Sequence, residues 1–214
     1  MRKYFIRKNV VNQIVSLRRN FAQTKSNVFN KIISLEELIK SLTQEVGSYR
    51  NRIFSPIVTL QYFLIQALSA DHSCREVVSQ KIAELITQGS EACSTNTSSY
   101  CAARKRLPLG WIMKLTRKTG QQLHEESLKI WRGRSIKLID GMTISMPDTK
   151  ENQKKYPQNK AQKKGIGFPI ARLVGIISLG CGSVLDIAIG AYEGKGTGEH
   201  SLLRKILHNL KKTT

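Results

Sequence analysis

The chain predicts a mixed α+β fold: a helical region to about residue 131, then a short run of strands and a closing helix. Two observations predict it. Through the first half, apolar residues recur at helical spacing behind capping residues. From Arg134 onward they alternate at every second position and glycine turns interrupt them, which is strand patterning. At 214 residues the chain can form one or two domains around a sizeable core.

Residues 1–33 carry Arg2, Lys3, Arg7, Lys8, Arg18, Arg19, Lys25 and Lys31 and no acid. Such a composition superficially matches an organelle transit peptide; a basic arm lying against a polyanion is the simpler account. The helical region, 34–131, opens with a capping-box signal, Ser34 with Glu37. Behind it Leu35, Leu38, Ile39, Leu42 and Val46 share one helical face, and Gly47 stops it. Ser55-Pro56 starts the next helix with proline at its tolerated first position, ahead of the stripe Ile57, Leu60, Phe63, Leu64, Ala67 and Leu68. Ser73 with Glu76 repeats the capping-box pattern for a helix to about Ile86, ended by Gly89. A further helix spans about Asn96 to Arg106, and Pro108 opens a long one to about Ile130, with Ile112, Leu115, Thr119 and Leu123 on one side.

The helices near 73–87 and 96–106 pose a choice. As a helix-turn-helix they would turn Tyr100, Arg104, Lys105 and Arg106 toward a duplex. The intervening Gln88–Thr95 is longer than the usual three- or four-residue turn, which favours a bundle helix with a solvated basic face. Both readings permit phosphate contacts.

After Arg134 the strands run at about 135–146, 171–179 and 184–192, with Gly180-Cys181-Gly182-Ser183 as the hairpin turn between the last two. The first strand puts Ile136, Leu138, Asp140, Met142, Ile144 and Met146 on one face. An ionised carboxylate on a buried apolar face needs a cation, a metal or a proton; the alternative is an Asp at a strand end or bulge, with Gly141 supplying the kink. The stretch 147–169 reads as a loop. Lys150, Lys154, Lys155, Lys160, Lys163 and Lys164 are opposed there only by Asp148 and Glu151, so it is either a phosphate-holding segment or an ordinary solvated charge run. Thr197 or Gly198 begins an amphipathic helix with Leu202, Leu203, Ile206, Leu207 and Leu210.

Charge narrows the partner. Thirty-five lysines and arginines against 15 acids give a net +20, spread over both halves of the chain. A polyanion is the natural partner, and nucleic acid the commonest. An acidic membrane surface competes, but no stretch reaches the ~18 uninterrupted apolar residues of a spanning helix. Cys74, Cys93, Cys101 and Cys181 lack the paired spacing of a zinc site and read as reduced, mostly buried thiols. His72, His124, His200 and His208 are scattered and form no catalytic pattern.

A family resemblance sharpens this. Asp140-Gly141-Met142-Thr143-Ile144-Ser145-Met146-Pro147-Asp148-Thr149 is followed by Glu151-Asn152-Gln153 and Tyr156-Pro157-Gln158. Next come Gly165-Ile166-Gly167-Phe168-Pro169-Ile170-Ala171-Arg172-Leu173-Val174-Gly175 and Gly194-Lys195-Gly196-Thr197-Gly198-Glu199. Upstream stand Phe54-Ser55-Pro56-Ile57-Val58-Thr59-Leu60, Ser73-Cys74-Arg75-Glu76 and Tyr100-Cys101-Ala102-Ala103-Arg104-Lys105-Arg106-Leu107-Pro108. Over about residues 50–210 this resembles the DDE transposases of bacterial insertion sequences of the "IS-four" type.

The resemblance implies a ribonuclease-H-like catalytic domain over 134–214 and a bacterial, nucleoid-associated location in the cytoplasm. It implies that Asp140 is the first acid of the DDE triad and a ligand for Mg²⁺ or Mn²⁺. Its partners would be DNA at transposon ends, a second copy, or an intact transposase. The second Asp and the Glu that the family places after the closing helix have no counterpart before Thr214. The expectation is therefore an incomplete catalytic domain whose first strand is an unpaired edge. Two alternatives remain beside it: a non-catalytic DNA-binding fragment that regulates or inhibits an intact transposase, and the remnant of a decayed element.

Overall fold

The computed structural model describes residues 33–129, 131–163 and 165–210. The basic arm, apart from Ile33, and Lys164 lie outside them. The fold is mixed α+β, with helices first and a small antiparallel sheet with further helices after. Two compact units divide between Ile112 and Met113. The expected boundary at 131–134 marks the change of periodicity, while the contacts divide the chain within its long helix.

The first unit is built from α1 (Leu35–Val46), α2 (Pro56–Leu68), α3 (Cys74–Thr87), α4 (Ser98–Lys105) and the first turn of α5 (Leu109–Glu126). Its helices start where the hydroxyl caps predict. Ser34, Ser55 and Ser73 accept hydrogen bonds from the amides of Glu37, Val58 and Glu76. Gly47 ends α1 at φ 74°, a value that glycine adopts at little cost. Phe54, Tyr62, Val77, Val78, Tyr100 and Ala103 form the core, with the Phe54 and Tyr100 rings 5.3 Å apart.

Polar groups in this core are partnered, as burial demands. The Tyr100 hydroxyl donates to Gln66 Oε1 at 2.9 Å, and Gln66 Nε2 donates to the His72 carbonyl at 2.7 Å. Burial pushes the Tyr100 phenol up to about 12. Trp111, fully buried, donates to Ser41 Oγ at 2.9 Å. Burial alone would raise the Glu84 carboxyl, but hydrogen bonds from Tyr62 and Lys81 hold it below its usual value.

Several expectations are corrected here. Tyr100 is a core residue, so it does not face outward from a recognition helix. Of the α1 stripe only Leu38 and Leu42 are buried, while Leu35, Ile39 and Val46 are exposed. None of the four cysteines is buried: three are half-buried and Cys181 is exposed.

The second unit holds the rest of α5, β1 (Lys137–Ser145), α6 (Lys150–Lys155), β2 (Ile170–Ser178), β3 (Val184–Ala191) and α7 (Glu199–Ile206). The stretch expected as a loop thus contains a helix, α6, capped by Thr149 Oγ1 on the Asn152 amide. The sheet order is β1-β2-β3, with both pairs antiparallel. Asp140 stands opposite Gly175, and Gly141 opposite Val174.

Side chains alternate across the sheet, so one face carries Val174, Ile176 and Ala188. These pack with Leu185, Leu202 and Ile206, the last two from α7. Close approach has a sequence cause, since a Cβ at Gly190 would sit 2.9 Å from the Leu202 methyl Cδ2. On the part of α5 in this unit the buried positions are Leu115, Gly120 and His124, while Leu123, expected on the apolar stripe, is exposed. Gly120 is obligatory because any Cβ would strike the Val184 carbonyl. The other sheet face is open, with Leu138, Met142 and Ile189 exposed.

His124 contacts Ser178 Oγ through Nδ1 at 2.7 Å. Burial, then the charge of Lys137, hold its imidazole below the ordinary range. An unfolded histidine near pH 6.5 takes up a proton that the folded one resists, so stability should fall as pH drops below about 6.5. The loss should level off once pH has passed the depressed folded value. Melting temperatures of the wild type and His124→Gln between pH 7.5 and 5.5 check this: the variant should show a flatter slope.

Candidate nucleic-acid interface

The acids come first, because they decide what chemistry the sheet permits. Asp140 is exposed and its Oδ1 accepts from the Gly141 amide at 2.9 Å. The expectation of a buried carboxylate in need of a counter-group is corrected: the face it shares with Leu138 and Met142 is open, so water solvates the charge. Gly141 does not mark a bulge either. The β1–β2 register runs unbroken from Lys137 opposite Ser178 to Ser145 opposite Ile170. The irregularity lies between Ile176 and Ile177, on the β2–β3 side.

Gly141 has a different neighbour. Its missing side chain would point to the helix-covered face, where a Cβ would come within 2.7 Å of the Glu199 carboxyl carbon. Glu199 opens α7, a position favoured for a negative charge by the helix dipole. The third acid, Asp186, is fully buried in β3. It accepts from Arg117 Nε at 2.7 Å and from the Ile187 amide at 2.8 Å.

These acids are not gathered. Asp140 and Gly141 project to opposite sides of β1, which separates Asp140 from Glu199, and Asp186 is committed to Arg117. Among the described residues no three His, Cys, Asp or Glu side chains converge on a point that could hold a cation. A pair of Mg²⁺ or Mn²⁺ ions ~4 Å apart needs several shared carboxylates. The described side chains do not fit such a pair, and Asp140 could offer one ion a single carboxylate.

The basic residues are better organised. Lys150, Lys154, Lys155, Lys160 and Lys163 are all exposed. The backbone beneath them is tied down by two glutamines. Gln153 Nε2 donates to Asp148 Oδ1 at 2.9 Å and to the Gly167 carbonyl at 3.0 Å. Gln158 Nε2 donates to the Lys163 carbonyl at 2.9 Å, and its Oε1 accepts from the amides of Gly165 and Gly167. Tyr156 is buried beneath, with Lys155 Nζ 5.4 Å from its ring centre. The segment leaves β1 at Ser145, five residues beyond Asp140, roughly 17 Å along an extended strand. Neighbourhood in sequence is therefore not contact at the strand.

In the first unit, the predicted basic trio divides. The Arg104 guanidinium lies 4.8 Å from the Phe63 ring and donates to Gln66 Oε1 at 3.2 Å, so it serves the bundle. Lys105 and Arg106 are exposed. Sequence reasoning missed the roles of Arg117, Gln153 and Gln158. Only the lone charge in an apolar strand, Asp186, hinted that a distant cation must answer it.

No protein-family model matches the chain, and neither a curated protein nor a solved structure matches it. Among the described residues no helix is long and apolar enough to cross a membrane.

The acid assignment has a mechanical test. Arg117→Ala removes the guanidinium that meets the buried Asp186 at 2.7 Å, which should cost on the order of 3 kcal/mol. Urea unfolding should show that loss, and Asp140→Ala, at an exposed site, should shift the midpoint little. Equal effects from the two substitutions would contradict the assignment.

Proposed function

We propose that this chain binds DNA through phosphate contacts, as the DNA-holding front part of a DDE-type transposase, and that it does not cut DNA by itself. The observation that carries the reading is the segment 147–169, where five exposed lysines sit on a backbone fixed by Gln153 and Gln158. A solvated charge run needs no such scaffold; a surface that meets a phosphate backbone benefits from one. The net +20 agrees in sign and size.

The transposase assignment rests on the motif resemblance around Asp140. It is supported by an antiparallel β1-β2-β3 order with that acid on the first strand and a helix after the third. The non-catalytic half rests on the acids: Asp186 is ion-paired and Glu199 lies on the other side of β1 from Asp140. A second reading, association with another copy or with an intact transposase, is favoured by one feature. Among the described residues β1 has a partner on one side only, and Leu138 and Met142 beside Asp140 are exposed.

Duplex binding followed by fluorescence anisotropy tests the main reading. With ~6 phosphate contacts, log affinity should fall against log salt with a slope near −5. Replacing Lys150, Lys154, Lys155, Lys160 and Lys163 by alanine should flatten that slope. A salt-independent curve would overturn DNA binding. DNA incubated with the chain and Mg²⁺ or Mn²⁺ should stay intact, and cleavage lost in Asp140→Ala would overturn the non-catalytic half.

A further inference from the structure

The first unit contains a cavity of about 230 Å³ between the end of α1, the connection to α2 and the end of α4. Its lining combines two chemistries. Tyr49, Phe54, Leu107 and Pro108 supply apolar and ring surfaces, and Arg50, Arg52 and Arg106 bring guanidinium groups. All three arginines and Tyr49 are exposed, and no acid contributes to the lining. The nearest acid in sequence, Glu45, has its carboxylate beside Gly110 in the first turn of α5 and is not among the lining residues. Gly47, at φ 74°, turns the chain out of α1 so that residues 49–54 can wall the cavity.

We propose that this cavity receives one unpaired nucleotide of a DNA strand, the base against Tyr49 and the proline and leucine surfaces, the phosphate on the arginines. Size favours it. Pockets for drug-sized ligands run to about 300–1,000 Å³, so this one suits a single ring system with its phosphate at the mouth. Chemistry favours it as well. A guanidinium matches phosphate oxygens with paired N–H donors, and a ring beside a cationic rim is how proteins hold single-stranded nucleic acid regardless of sequence. The carboxylates of an acidic peptide could use the arginines but would leave the Tyr49, Leu107 and Pro108 surfaces unused. The inference rests on the DNA-binding reading for the class of ligand, while it places the contact on residues far in sequence from the lysine segment. It also gives Arg106 a partner set, Arg50 and Arg52.

The test uses the full chain and a 5′-phosphorylated deoxydinucleotide carrying 2-aminopurine, whose fluorescence is quenched on stacking. Saturable quenching is expected. Tyr49→Ala should weaken binding about tenfold and remove most of the quenching. Arg50→Ala with Arg106→Ala should weaken it at least as much, and alanine at the exposed Lys40, outside the lining, should leave it unchanged. All these residues are exposed, so a thermal melt should confirm that the variants fold. No quenching, quenching indifferent to the arginines, or equal displacement by an acidic tetrapeptide would overturn the proposal. Dinucleotide binding without salt-sensitive duplex binding would overturn the proposed function and leave the cavity assignment standing. Duplex binding without dinucleotide binding would do the reverse.

Discussion

An ionised carboxylate buried in a sheet needs a counter-charge, and in the second unit the ion pair that supplies it sets the arrangement of the rest. Asp186 is fully enclosed in β3, and Arg117 of α5 reaches it at 2.7 Å. Once that pair forms, α5 must lie across the β2–β3 hairpin. The other close points follow the same helix face: Gly120, whose carbonyl accepts from Ser183 Oγ, and His124 against Ser178. With α5 and α7 packed against the same sheet, the face bearing Val174, Ile176 and Ala188 is covered and the face bearing Asp140 is left to water. The exposure of Asp140 is thus a consequence of where Asp186 found its counter-charge.

The two acids illustrate how environment divides roles between like groups. Asp186 is spent on structure, its charge neutralised and its geometry fixed. Asp140 is exposed to solvent and accepts a hydrogen bond within its own strand, from the following amide. An exposed carboxylate of this kind is inexpensive to the fold, which leaves it free for contact with something outside it. The lysines of 147–169 are likewise exposed, with the backbone of Lys150, Lys154 and Lys155 held in α6 and the turns after it held by glutamine side chains. Fixed backbone with free charges is the arrangement that positions a polyanion without adding much to stability.

Much of the fold is legible in the sequence because its signals are local. The serines at 34, 55 and 73 and the glycines at 47 and 89 mark helix ends by hydrogen bonding and by positive φ, and neither depends on distant residues. The three strands follow from alternation alone. What stays hidden is set by tertiary partners. Tyr100 sits in a basic helix and looks outward until the Phe54 ring and Gln66 claim it. Lys150–Lys155 reads as loop because a two-turn helix with one cap has almost no periodic signal. Arg50 and Arg52 stand in a connection with no pattern, and only the chain's return at Arg106 gives them a common purpose.

The contact between Gly141 and Glu199 carries a consequence for sequence variation. The two positions lie far apart in the chain, and the space a side chain at 141 would need is held by the end of the exposed, rotatable Glu199 side chain. Among related sequences a small side chain at 141 should therefore be tolerated, with that carboxylate swung aside, whereas position 120, whose Cβ would meet the Val184 backbone, should stay glycine. Asp140, pointing the other way, should vary independently of both.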